Sequence, residues 1–234
     1  MLLRAENISQ TFMRRTGSAN YFHAVSPLSL ELPAGTVTVL MGRSGSGKTT
    51  LLNMLAGLLE PTEGKVFLEE TDLYGLKDAA LSRLRNERIG VVPQARSAVD
   101  TLTVAENILL PAKLYGRPVP AGEAARRMEE FEIAHLADAM PKELSGGELR
   151  RMAIIRAVAG NPDVLLADEP TGDLDDENTE KVLSALAALA HGENRAVLIV
   201  THEGGAARYA DRVLRMEKGQ VTPDGGSPLT VPAE

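Results

Sequence analysis

The chain has 234 residues, 44% of them apolar and 24% charged, with a net charge of −7 and no cysteine. That length is ample for a sizeable core. The acidic balance argues against a dedicated nucleic-acid binder, which carries a basic face, and the missing cysteines exclude disulfides, thiolate nucleophiles and zinc–thiolate sites.

In chain order, residues 1–12 and 28–41 read as β-rich. Arg4 and Glu6 interrupt the N-terminus before an apolar run forms, which does not read as a secretory signal. Leu28, Leu30 and Leu32 alternate with polar residues, as in a half-buried antiparallel strand. Thr36–Met41 predicts a buried strand that runs straight into a glycine-rich loop. Residues 48–58 are expected to be helical, with Leu51, Leu52, Leu55 and Leu58 on one face. A turn at Pro61–Gly64 and a strand at Lys65–Leu68 follow.

From about residue 76 to 160, Leu81, Leu84, Val104, Ile108, Met128, Phe131, Met152 and Ile155 recur at helical spacings. This predicts a mostly helical insert holding one short strand, Ile89–Val92. Strands return near 163–168 and 196–200, helices near 176–190 and 203–210, and a hairpin near 212–221. Residues 222–234 hold turn-formers and few core residues, so a flexible tail is expected. With no internal repeat, the expectation is one α/β domain over 1–221, its helical subdomain at roughly 95–160. No apolar run approaches the roughly 20 residues that span a bilayer.

Gly42-Arg43-Ser44-Gly45-Ser46-Gly47-Lys48-Thr49 matches the phosphate-loop pattern G-x-x-x-x-G-K-[ST]. Glycines let the backbone curl until several N–H groups point at one phosphate. A helix beginning at Lys48 adds its positive end. Lys48 is expected to reach the β- and γ-phosphates and Thr49 to hold Mg²⁺, with Ser44, Ser46 and Thr50 completing the phosphate set. A glycine-rich turn before an ordinary helix is the bland alternative; the strand leading in and the amphipathic helix leading out favour the phosphate loop.

Val164–Ala167 is an apolar run that ends in Asp168 and Glu169. Strand ends of α/β sheets place ligands. Asp168 is suited to Mg²⁺, directly or through water, and Glu169 to a general base or water-orienting role near the γ-phosphate. Taken alone, two acids after a buried strand are an ordinary solvated loop. Leu144-Ser145-Gly146-Gly147-Glu148 precedes a further helix and reads either as a second anion-binding helix start or as a simple N-cap.

These segments together resemble the ABC ATPases, over roughly residues 1–221. The resemblance implies a P-loop NTPase core with a mostly parallel sheet, an N-terminal antiparallel β subdomain and a helical signature-motif insert. It makes Ser145, Gly146, Gly147 and Glu148 the signature loop, which contacts the γ-phosphate bound to a partner subunit. Gln94, after Ile89–Val92, matches the Q-loop glutamine at Mg²⁺ and the hydrolytic water. Asp173-Leu174-Asp175 resembles the interface-lining D-loop, and His202 the switch histidine at the γ-phosphate. Phe12 is the match for the aromatic that stacks on adenine, with Tyr21 and Phe22 as alternatives. Two features depart from the usual pattern: Glu148 stands where glutamine is commoner, and residues 13–27 are slightly longer. Glu148 is expected to point outward, since an inward carboxylate would oppose a phosphate.

The implied activity is Mg-dependent ATP hydrolysis, with ATP and Mg²⁺ bound between two subunits, in a homodimer or a heterodimer with a related ATPase. Pro93–Pro111 resembles the Q-loop and following helix of the group containing the lipoprotein-releasing and macrolide-exporting systems. That implies a transporter subunit, cytoplasmic and peripheral to the inner face of the cell membrane, with a permease on another chain and no nucleic acid. Two alternatives are a regulator of cell-wall hydrolysis with a non-transporting membrane partner, and a soluble non-transport ABC ATPase. Long heptads, cysteines and a second phosphate loop, which would favour the latter, are missing.

Overall fold

Successive residues of three apolar strands serve two different cores, and this alternation organises the molecule. The computed structural model describes residues 2–13, 21–120, 122–172 and 174–223. Among these residues ten strands are formed: β1 (Leu3–Met13), β2 (Tyr21–Leu32), β3 (Thr36–Met41), β4 (Glu63–Leu68), β5 (Thr71–Asp72), β6 (Ile89–Val92), β7 (Val164–Asp168), β8 (Ala196–Thr201), β9 (Arg212–Glu217) and β10 (Gln220–Pro223). Six α-helices accompany them among the described residues: α1 (Lys48–Leu55), α2 (Asp78–Arg88), α3 (Val104–Leu114), α4 (Glu123–Glu130), α5 (Gly146–Val158) and α6 (Asp176–Glu193).

The central sheet runs β10-β9-β3-β8-β7-β6 and is parallel except for the β9–β10 hairpin. Along β7, Val164 and Leu166 face one core while Leu165 and Ala167 face the other; along β8, Ala196, Leu198 and Val200 oppose Val197 and Ile199. A parallel sheet covered on both faces needs such continuous apolar strands. One face meets α1 and the four-stranded antiparallel sheet β2-β1-β4-β5; the opposite face carries α3, α4, α5 and α6.

Three expectations change. The helix after the phosphate loop ends at Leu55, and Leu58 is exposed rather than on its buried face. Residues 76–160 are not one insert: β6 is the edge strand of the central sheet, paired with β7, and Leu81 and Leu84 of α2 pack into the core shared with α1. Helical spacing cannot tell which core a helix serves. Residues near 203–210 form a 3-10 turn, Gly204–Tyr209, rather than an α-helix. β10 reaches Pro223, two residues into the segment expected to be a tail; the remainder of that segment lies outside the described residues. Among the described residues no helix is long and apolar enough to cross a membrane.

Candidate functional site

The C-terminal ends of β3, β7 and β8 meet at one edge of the central sheet, and the glycine-rich loop leaves from there. The Gly42 N–H donates to the Thr201 carbonyl at 3.2 Å, which ties the loop's start to the end of β8. Gly47 caps α1 at φ 106°. A Cβ at Gly47 would stand 2.2 Å from the Ala24 carbonyl oxygen, and one at Gly42 would stand 2.4 Å from that of Met216. Neither approach accommodates a side chain, so both positions require glycine. Lys48 is 7% exposed, and its Nζ donates to the carbonyls of Gly42 at 2.7 Å and Arg43 at 3.2 Å. The Ser46 hydroxyl is buried without a hydrogen-bond partner. A buried ammonium, an unpaired hydroxyl and the N–H groups of a helix start form an anion cradle.

Two carboxylates border this cradle. Asp168 Oδ2 accepts from the Thr49 hydroxyl at 2.8 Å. Burial holds the Asp168 carboxyl above its ordinary proton affinity, while the Thr49 bond pulls the other way. Glu169 follows at φ 48°, a left-handed conformation unusual for this residue type, anchored by its N–H to the Val200 carbonyl at 2.8 Å. Its Oε2 accepts from Thr201 Oγ1 and from His202 Nδ1, both at 3.0 Å. Lys48 Nζ lies 3.9 Å from its other oxygen. The hydrogen bond and charge of Glu169 raise the proton affinity of the exposed His202 ring.

A cavity of about 410 Å³ joins these groups with Ser44, Gly45, Gly47, Thr50 and Gln94. Phe12 and Phe22, paired across β1 and β2, form its outer wall, each more than a third exposed. Tyr21 pairs with Met13 and is not among the lining residues. Thr49, Asp168 and Gln94 offer hard oxygen donors, the kind Mg²⁺ takes. Among the described residues no cluster of three or more His, Cys, Asp or Glu side chains could by itself hold a metal. A donor set this small suits an ion that takes its remaining ligands from phosphate and water.

The second glycine pair lies elsewhere. Ser145 caps α5, and none of residues 145–148 lines the phosphate-loop cavity. Glu148 does not point outward as expected. Its Oε2 accepts from the Ser145 N–H and hydroxyl, both at 2.7 Å, while the Ser145 Oγ accepts from the Glu148 N–H at 3.3 Å. This reciprocal capping satisfies helix-start donors, and it holds the Glu148 carboxyl below its usual range. Leu174 packs toward Gly147, and Asp175 caps α6 by accepting from the Asn178 N–H at 2.8 Å. Asp173 lies outside the described residues.

Two contributors, Thr201 and Arg150, carried no readable signal, and a third, Phe22, stood in the sequence only as an alternative for the stacking aromatic. Thr201 is an ordinary strand-end threonine until the fold brings Glu169 beside it. Phe22 becomes a partner of Phe12 only through the β1–β2 register. Arg150 donates to the carbonyls of Pro93 and Gln94, more than 50 residues earlier in the chain.

The sequence matches the family model described as ABC transporter over residues 25–172, more than half of the chain. The uncharacterized ABC transporter ATP-binding protein YvcR of Bacillus subtilis is 38% identical, over 94% of this chain and 85% of the relative. The lipoprotein-releasing system ATP-binding protein LolD of Xylella fastidiosa is 36% identical, over 93% of this chain and 90% of the relative. The dimeric structure of MJ0796, described as a bacterial ABC transporter cassette, superposes with a TM-score of 0.87 at 32% identity, covering 98% of this chain and all of that one. A post-hydrolysis state of the same cassette, dimeric and bound to ADP and Pi, matches equally well.

Proposed function

The chain belongs to the ABC transporter family as an ATP-binding cassette, and from that premise we propose that it hydrolyses ATP as a Mg-dependent dimer to power a separate membrane permease. The observation that carries the reading is a separation. One copy holds a complete phosphate cradle and a second anion-suited helix start, Ser145–Gly147, that does not reach it. A second copy supplying its own Ser145–Gly147 to the cradle completes both sites, and the dimeric solved cassette supports this.

In this reading Phe12 stacks on adenine, with Phe22 beside it. The loop from Gly42 to Gly47 wraps the phosphates, and Lys48 turns from its own carbonyls to the β- and γ-phosphates. Thr49 and Asp168, with Gln94, would hold Mg²⁺, which would neutralise phosphate charge when bound. Glu169 takes a proton from the attacking water. The water oxygen bonds to the γ-phosphorus as the bond to the β–γ bridging oxygen breaks, and the charge leaves on ADP. His202 holds Glu169 in place and faces the γ-phosphate. Loss of the group that both subunits grip opens the dimer, as a ligand with differential contacts shifts a two-state equilibrium.

The resemblance to lipoprotein-releasing ATPases supports export or lipid and lipoprotein extrusion, with the chain on the cytoplasmic face beside its permease. The test is Glu169→Gln. Turnover should fall about a hundredfold or more, and the variant should persist as a dimer in Mg-ATP during size-exclusion chromatography. Wild-type turnover, or a strictly monomeric variant at high concentration, would overturn the reading.

A further inference from the structure

Residues 93–98 connect β6 to the helical side of the molecule, and their position is set from outside. Among the described residues they take part in no backbone–backbone hydrogen bond beyond those within helices and strands. They border a cavity of about 540 Å³ whose other wall is α5, so the segment has room to shift. Two arginines of α5 hold it. Arg150 donates from Nη1 to the Pro93 carbonyl at 2.8 Å and from Nη2 to the Gln94 carbonyl at 3.1 Å. Arg156, farther along the helix, donates to the Ser97 carbonyl at 2.6 Å and to the Ser97 hydroxyl.

The Arg150 contact has a particular geometry. A planar guanidinium donating to two successive carbonyls fixes both the place and the tilt of the peptide between them. That orients the Gln94 side chain, which lines the phosphate-loop cavity of the same subunit. Arg150 also sits only three residues beyond Gly147, on the first turns of the helix whose start does not line that cavity. A displacement of the start of α5 is therefore carried directly to Gln94, because a helix over so short a distance moves as a rigid element.

We propose that Arg150 is a positioning residue for Gln94, and that through it the helix start gripping the partner's nucleotide sets the glutamine of its own site. Each site then reaches its reactive arrangement only when the other is filled. The inference rests on the shared-site reading given above.

Three measurements on the full chain test it, with Arg150→Ala and Arg150→Lys as variants. Steady-state hydrolysis by Arg150→Ala should fall about tenfold or more in kcat. Its Hill coefficient for ATP should drop to about 1 from a wild-type value above roughly 1.5. Arg150→Lys, which keeps the charge but not the two-carbonyl fork, should recover only part of the rate. In the Glu169→Gln background, the ATP concentration for half-maximal dimerisation should change less than about threefold on adding Arg150→Ala, because the α5 start is intact. Dimerisation and kcat lost together would assign Arg150 a merely structural role and overturn the inference. So would unchanged kcat, or a wild-type Hill coefficient of 1. Failure of Glu169→Gln alone to dimerise in ATP would instead sink the shared-site reading, independently of Arg150.

Discussion

Glu169 Oε2 lies 3.0 Å from His202 Nδ1 and accepts from the Thr201 hydroxyl at the same distance, so one oxygen of this carboxylate is fully engaged by the end of β8. The other, Oε1, pairs with Lys48 Nζ at 3.9 Å. A carboxylate held by one oxygen and open at the other is oriented without being neutralised, as a base aimed at water requires. The left-handed backbone at Glu169, φ 48°, is the local strain that permits this aim.

The His202–Glu169 pair predicts a pH signature in the nucleotide-free protein. Glu169 raises the His202 pKa above its ordinary 6.5. The contribution of the protonated ring is therefore present below 6.5 and is lost as pH rises through the elevated folded value. A proton NMR titration should show a histidine titrating above 6.5 that returns to an ordinary value in Glu169→Gln. His202→Ala should lower kcat about a hundredfold while leaving nucleotide affinity near wild type.

Glu148 holds the Ser145 hydroxyl proton that a phosphate would otherwise receive, and places a negative charge at the same helix start. Glu148→Gln keeps the cap geometry and removes the charge. Two opposed effects are expected. The isolated subunit loses about 0.3–1 kcal/mol, because an anion there favours the helix dipole. ATP-driven dimerisation, measured in the Glu169→Gln background, should need about threefold to fivefold less ATP. An unchanged ATP requirement would mean that Glu148 leaves Ser145 without cost when phosphate arrives.

Gly45 and Gly47 both have positive φ, 78° and 106°, but different surroundings. A Cβ at Gly45 meets nothing within 4 Å, whereas one at Gly47 meets the Ala24 carbonyl at 2.2 Å. Gly45→Ala should cost only backbone strain, about 1 kcal/mol. Gly47→Ala must displace β2 or the loop, and should destabilise by about 3 kcal/mol or more with loss of nucleotide binding. Denaturant titration of the two variants separates the outcomes; equal losses would contradict the steric argument.

Arg127 of α4, 2% exposed, ties the helical side to the end of α6 through Glu193, at 2.7 Å, with Glu123 at 2.8 Å and Glu130 at 3.2 Å. The hydrogen bonds and charges of Arg127 and Arg195 outweigh burial and hold the Glu193 carboxyl at about 2, below its ordinary 4.5. Its stabilisation is thus present above pH 4.5 and is lost as pH falls toward 2. Glu193→Gln should be less stable than wild type at neutral pH, and the difference should shrink on acidification through that window. Arg127→Met should cost about 2–3 kcal/mol at pH 7 by leaving carboxylates unpaired.

The sequence by itself determined the glycine-rich loop, the carboxylates at and just after the end of β7 and the α/β class, because each is written in consecutive residues or in strand-length apolar runs. Gly42–Thr49 and Val164–Glu169 carry their chemistry within single turns of chain, so local pattern suffices. The tertiary structure alone decided that β6 joins the central sheet and that Leu81 and Leu84 serve a different core from Val104 and Ile108. It alone brought Thr201 to Glu169, Phe22 to Phe12 and Arg150 to Gln94. These are contacts across strand register and helix packing, and a threonine or arginine has the same local appearance whether or not a partner waits across the fold. Glu148 shows the limit from the other side: its spacing from Ser145 is a capping box, yet the family likeness suggested an outward carboxylate, and the helix's need to satisfy its first N–H groups prevailed.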